Sequence, residues 1–421
     1  MSPDRDQQVP TRSESQPDLI AELGKCFDPV GTRPVPLAVT IGLRAASDRS
    51  RAVGYLEQRV LDHPGDHAAF MLLVQLLTWL DRKDEAETLL DRWLREKARF
   101  NLADLTTRIA ACLNARPDEI HASYVSYPRS TLQNLGFWRH RRKDGKQSGS
   151  MLTKIAHEEH VGNEPVFYRT IVEANPELQS ITPKCCAVTA LPEVGLALIT
   201  LEEINGSIVD TASLTVQETA ALVDAYRAVA RVPPSSVSGI LNGPEQELGF
   251  SHGFLVSAMK NLDRRENLQR VDQWLRSALI ERRYSPQISN EVIVALDALR
   301  ECAFHERIDR DRHFGFLHGD LHRDNVIAGR DGPVFLDWAR CAIGPKGIDL
   351  AVLLRRQGYR SVVHHATRSE VIDGNDRVSI ALLAFALILV SVQIDLEAIR
   401  NEPPEHLFLP ACEAIRSAAW K

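Results

Sequence analysis

The sequence predicts an α+β chain: a helical segment, a small β-rich lobe, and a mostly helical remainder broken by one hairpin. Three observations predict it. Residues 38–115 carry apolar spacing of helical period and nothing strand-like. From about residue 119, Tyr124, Val125, Tyr127, Phe137 and Trp138 raise the β-propensity. Far downstream, "NVIAGRDGPVFLDW" (325–338) sets two short apolar runs around a Gly-bounded turn, which is a hairpin signal.

Composition narrows the class. A chain of 421 residues, 44% hydrophobic and 25% charged, has the makings of two or three soluble globular domains. A net charge of -6 leaves no global nucleic-acid footprint. The opening "MSPDRDQQVPTRSESQPD" has no apolar stretch of signal-peptide type; residues 1–36 read as a disordered polar tail. Seven Cys without regular spacing make no disulfide framework, so all seven are expected as reduced thiols in a cytoplasmic protein. The most apolar run, Val378 to Ile394, includes Ser379, Ser391 and Gln393 and is followed by Asp395; it predicts a buried core helix, not a membrane span.

In the helical segment, 37–118, Ala52 and Ala86 lie 34 positions apart, as do Leu56 and Leu90. That is the tetratricopeptide period: Ala permits close helix approach and Leu fills the seam. The segment resembles a tetratricopeptide pair, with Phe70, Leu73 and Leu77 on one apolar face. So short an array should lean on its neighbour, and it could also recruit a protein partner. In the β-rich lobe, 119–205, "RHRRKDGKQSGS" reads as a basic turn, "MLTKIA" as a strand, "NEPVFYRTIVEA" as a helix and "GLALITLEEING" as a strand ending in acidic residues. Pro233, Pro234 and "LNGPEQELG" break up the helical remainder, 206–421.

The chemistry concentrates in "FLHGDLHRDNVIAG", 316–329. A tight hairpin after Asn325 returns the chain to Asp337, so the two should lie close, with Asp320 five residues before Asn325. Two carboxylates and an amide oxygen converging there suit Mg2+, which takes hard oxygen ligands and shares them with phosphates. One carboxylate then stays free to orient a hydroxyl, the division of labour that phosphoryl transfer requires. His305, His313, His318 and His322 could suggest zinc, but no Cys-x-x-Cys or His-Glu-x-x-His accompanies them. "GKQSGS" is no Walker A loop, and no G-x-S-x-G supports a serine hydrolase.

The series "HGDLHRDN…FLDWA…GPKGIDLA" resembles the aminoglycoside phosphotransferase and choline kinase family, distant relatives of protein kinases. The resemblance covers about 150–400 and leaves 1–118 unexplained. It implies a bilobal protein-kinase-like fold, with a catalytic loop over 316–338, following the tetratricopeptide-like segment. It implies that Asp320 orients the acceptor hydroxyl, that Asn325 and Asp337 hold Mg2+, and that His318 braces the loop. It makes Asp349 structural and gives His322 a contact with phosphate or substrate. Lys154 matches the strand Lys on the nucleotide phosphates and Glu164 its helix partner, with Glu158 and Glu159 as rivals. Glu202, Glu203 and Ile204 match the hinge whose backbone holds adenine. No G-x-G-x-x-G is present; the place assigned to a phosphate-covering loop holds the basic turn, with Gly145 and Gly149 only.

The implied activity is ATP- and Mg2+-dependent transfer of the γ-phosphate to a hydroxyl of a small molecule: a sugar, amino alcohol, aminoglycoside or glycan end. The alternatives are a protein kinase whose helical segment recruits the substrate, and a catalytically weak pseudokinase scaffold. Gly319, where protein kinases carry Arg, disfavours the first; intact Asp320, Asn325 and Asp337 disfavour the second. A partner protein fits the helical segment; nucleic acid and a membrane span do not fit the sequence.

Overall fold

The structure, a computed structural model, describes residues 46–63, 65–125, 134–143, 149–211, 213–241, 258–282, 284–398 and 405–419. The expected tail (1–36), the tip of the basic turn (144–148) and the break at 242–249 lie outside them. The chain forms two compact units. One holds residues up to 158 together with 189–200; the other holds 159–188 together with 201 onward.

The first unit opens with four helices: α1 (Ala46–Asp62), α2 (His67–Trp79), α3 (Lys83–Ala98) and α4 (Leu102–Cys112). Asp66 caps α2 by accepting from the Ala69 amide, and Asn101 caps α4 by accepting from Ala103. Ala52, Leu56, Ala86 and Leu90, the positions of the 34-residue offset, are all fully buried. Phe70 of α2 stacks on Trp93 of α3, with centroids 4.3 Å apart. Strands β1 (Ile120–Val125), β2 (Asn134–Arg142), β3 (Ser150–His157), β4 (Cys185–Leu191) and β5 (Leu196–Glu202) follow. They make one sheet in the order β1-β2-β3-β5-β4, with β4 and β5 running on into the second unit. The helices share a core with this sheet. Phe100 stacks on Trp138 of β2 at 6.4 Å, and Thr78 of α2 bonds the Tyr124 hydroxyl of β1 at 3.2 Å.

The β2–β3 register corrects the expectation for the basic segment. Arg139 to Arg142 belong to strand β2, not to a turn. Lys154 pairs with Phe137, whereas Arg141 pairs with Ser150 beside the turn. At ~3.3 Å per residue, Lys154 is roughly 13 Å along β3 from that turn. Lys154 therefore lies away from the end of the β2–β3 pair that the basic segment joins.

The second unit begins with helical turns Glu164–Val166, a π-helical turn Phe167–Ile171, and Val172–Ala174. Its helices include α5 (Val216–Ala230), α6 (Arg265–Arg282), α7 (Pro286–Glu301), α8 (Ile348–Leu354), α9 (Tyr359–Arg368), α10 (Arg377–Ala398) and α11 (Glu405–Ala419). Two small sheets lie among them. Strand β7 (Phe314–Leu317) pairs with β10 (Ala342–Pro345); β6 (Ser207–Ile208), β8 (Val326–Gly329) and β9 (Gly332–Phe335) form the other. The apolar run at 378–394 lies in α10, where Ala381 to Leu389 are at most 1% exposed. No described helix is long and apolar enough to cross a membrane. Thus the chain has a β-sheet lobe and a helical lobe, the expected α+β class.

The thiol expectation is corrected as well. Cys112 and Cys186 are disulfide-bonded, whereas Cys185, Cys302, Cys341 and Cys412 are free. Sequence spacing excludes a local motif such as Cys-x-x-Cys, but is silent on bonds between cysteines far apart in the chain.

Candidate active site

The loop 318–325 hangs between β7 and β8 and is fixed from below by Asp349. That carboxylate is 1% exposed. It accepts from the His318 amide at 2.7 Å, the Gly319 amide at 3.0 Å and the Tyr226 hydroxyl at 3.1 Å. Burial pushes its pKa up, and the nearby His318 and these hydrogen bonds oppose the rise. Gly319 follows at φ +83°, and a Cβ there would collide with the Arg340 carbonyl oxygen. Glycine is required for both reasons.

His318 is fully buried and packs 4.4 Å from the Trp338 ring. Its Nδ1 accepts from the Asp320 amide at 3.3 Å, and its Nε2 lies 2.8 Å from the Leu336 carbonyl oxygen. These roles assign the ring hydrogen to Nε2. His318 thereby ties the loop to the end of β9. The hairpin closes the same point from the other side: Val326 pairs with Phe335, and the Leu336 amide donates to the Asn325 carbonyl at 2.9 Å. Asp337 follows immediately, at φ +60°. A non-glycine residue held in the left-handed region is a mark of a constrained site.

Within this frame Asn325 is 8% exposed. Its Nδ2 donates to the Asp320 carbonyl at 2.9 Å and lies 3.3 Å from His322 Nε2. With the amide nitrogen committed, Oδ1 is the atom left to face a cation. The Asp320 carboxylate has one oxygen, Oδ1, buried without a hydrogen-bond partner. Arg340 Nε stands 3.7 Å from Oδ2, and His322 Nε2 stands 3.9 Å from Oδ1. Both distances exceed hydrogen-bond range, so they are charge contacts that leave Asp320 able to accept from a hydroxyl. An amide oxygen and the Asp337 carboxylate are hard donors that fit Mg2+, which takes few protein ligands and completes its shell with water and phosphate.

Glu164 is held against this site by its neighbours. Asn163 donates from its amide to the Ala339 carbonyl at 2.9 Å and from Nδ2 to the Cys341 carbonyl at 2.8 Å. Phe167 stacks on Trp338 at 3.9 Å, and Phe316 continues the stack 6.2 Å from Trp338. Glu164 itself is 1% exposed. After burial, its charge is the next largest factor raising the Tyr168 hydroxyl and the Cys341 thiol above their ordinary ranges.

The structure therefore gathers Asp320, His318, His322, Asn325 and Asp337 on one loop-and-hairpin frame, with Glu164 anchored to its 338–341 turn. Glu202, Glu203 and Ile204 leave β5 elsewhere: the Glu202 amide donates to the Lys184 carbonyl at 2.9 Å, and Ile204 lies by Gly329 of β8. Lys154 belongs to the other unit, where it is 9% exposed on β3. Arg340, Asn163 and Tyr226 were not foreseen from sequence. Arg340 lies three residues past Asp337, a spacing that in retrospect returns it to the loop; the other two act over 123 and 178 residues and leave no local signal.

A profile of the APH phosphotransferase enzyme family matches residues 167–377, half of the chain. The chain belongs to that family and is a phosphotransferase acting on small-molecule hydroxyls. The match does not reach α1–α4. No curated protein matches. Among solved structures, a spectinomycin phosphotransferase in complex with ADP and spectinomycin aligns at 12% identity and TM-score 0.42, covering 79% of this chain and 97% of its own. An amicoumacin kinase bound to AMP-PNP and Ca2+ aligns at 14% and 0.43, covering 77% and 95%. A choline kinase from Cryptosporidium parvum aligns at 13% and 0.40, covering 74% and 92%.

Proposed function

We propose that the chain transfers the γ-phosphate of ATP to a hydroxyl of a small molecule, with Asp320 orienting that hydroxyl. The observation that carries this reading is the buried, unpartnered Asp320 Oδ1 on a loop held by Asp349 and His318. A buried acceptor without a partner is costly unless a ligand completes it. Asn325 Oδ1 and the Asp337 carboxylate would hold Mg2+, which when bound supplies neutralisation of the transferred phosphate's charge. Arg340 Nε stands beside the Asp320 carboxylate, and His322 faces the same carboxylate. Lys154, Glu164 and the 202–204 backbone keep the nucleotide roles that the resemblance implies. Rate enhancement in such a site comes from positioning and fixed charge.

The test is purified protein with Mg-ATP against a library of hydroxylated metabolites. Asp320→Ala is expected to lower kcat by roughly 10²–10⁴-fold with little change in nucleotide affinity. Chelation of Mg2+ is expected to abolish transfer, and added Mg2+ to restore it. Full activity in the Asp320→Ala protein would refute the assignment.

A further inference from the structure

We propose that a cleft between α10 and α11 is a second binding site, and that its ligand is a zwitterion carrying one carboxylate and one ammonium group. The inference goes beyond the phosphotransfer reading and does not depend on it. The cleft holds about 670 Å³, within the range of small-molecule sites, roughly 300–1,000 Å³. Small residues leave that space. Ala414, Ser417 and Ala418 recur at helical spacing on α11, and Gly374 precedes α10. Arg377 and Ile380, one turn apart on α10, line it as well, and Glu413 and Arg416 of α11 complete the wall.

The charges on this wall decide the ligand. Arg416 is paired with Glu291 of α7. Asp376, next to Arg377, is 7% exposed and filled from within the fold. It accepts from the Val378 amide and the Ser379 hydroxyl, both at 3.0 Å, and stands 2.8 Å from His313 Nε2 and 3.2 Å from Arg312 Nε. Two charges are left, Arg377 and Glu413, both exposed. Among the described residues, no hydrogen bond or ion pair engages either side chain, and the two do not pair with one another although they line one cleft. A ligand with both charges completes them. The guanidinium fork of Arg377 matches a carboxylate, and Glu413 accepts from an ammonium group. Ser417 adds a hydroxyl, and Ile380 and Ala414 add apolar surface for the ligand's carbon frame. A purely anionic ligand would meet Glu413 as like charge, and a purely cationic one would meet Arg377. His313 precedes β7 and the catalytic loop follows it, so the His313–Asp376 contact puts the cleft at the opposite end of that strand from Asp320. Four strand residues span roughly 13 Å. The cleft is therefore not the place where Asp320 would meet an acceptor.

The experiment is isothermal titration calorimetry of the full chain with matched probes. Leucine and 5-aminopentanoate are zwitterions with close and distant charges. N-acetylleucine and pentanoate keep only the negative charge; leucinamide and pentylamine keep only the positive one. The better zwitterion is expected to bind at least about tenfold more tightly than either of its singly charged counterparts. Arg377→Gln and Glu413→Gln are each expected to weaken that zwitterion by about tenfold. Arg377→Lys and Glu413→Asp keep the charges and are expected to retain most of the affinity, which separates loss of charge from loss of fold. No saturable binding of either zwitterion overturns the proposal. So does a singly charged counterpart that binds as tightly, or a zwitterion affinity unchanged in either glutamine variant.

Discussion

At the scale of single residues, the loop is defined by atoms that have no room to change. Gly319 combines a left-handed backbone with direct approach to the Arg340 carbonyl, so Gly319→Ala must move the 318–325 loop or the 338–341 turn. The expected cost is about 1–3 kcal/mol, read as a lowered urea midpoint, together with loss of transfer activity. Asp349→Asn tests the brace from the other side. The carboxylate accepts from two amides and a hydroxyl, and an asparagine must turn an NH2 group towards one of those donors. A destabilisation of about 2–3 kcal/mol is expected from the buried hydrogen bonds lost. Nucleotide-induced stabilisation should shrink as well, since the loop would no longer be held in place. A variant as stable and as active as the parent would show that the brace is dispensable.

At the scale of elements, the hairpin and its flanks were legible because a Gly-bounded turn between apolar runs fixes both the pairing and what its ends bring together. The core helix α10 was legible for a similar reason: a run too polar at its end for a membrane but apolar all round has to be interior. The basic segment was not legible. Its charges mimic a turn, but Arg139 to Arg141 pair with both neighbouring strands, and only register shows which end of the sheet a residue occupies. Nor could the sequence show that the Phe167 helix docks on the 338–341 turn, because that contact is a stack of rings from three elements. Phe167 is fully buried, stacked on Trp338 at 3.9 Å with Phe316 6.3 Å away. Phe167→Ala is expected to cost about 3–5 kcal/mol and to loosen the turn that carries Asp337. Chemical denaturation measures the first effect, and a raised KM for Mg2+ the second. A loss of stability with an unchanged KM would confine Phe167 to packing.

At the scale of the whole chain, the family match begins at 167, yet the helices before it are not a detachable appendage. Their core includes strand β2 through Phe100 and Trp138. His140 lies on the same face of β2 as Trp138, two residues on, fully buried and with neither ring nitrogen hydrogen-bonded. Burial lowers its pKa to about 4 from an ordinary value near 6.5, with a smaller opposing contribution from the Trp138 backbone. The folded state therefore holds His140 uncharged, and the unfolded chain binds the additional proton. Stability from this residue is complete above about pH 6.5 and declines as pH falls towards 4, by about 3 kcal/mol in all. His140→Leu removes the titration and two unsatisfied polar atoms while keeping an apolar filling. Urea denaturation at pH 7.0, 6.0 and 5.0 should therefore show parent and variant diverging steadily as the pH drops, with the variant the more acid-resistant. Parallel curves would mean that the ring finds a partner or solvent in the folded protein. The sheet would then be seated beneath its helices without a buried neutral histidine.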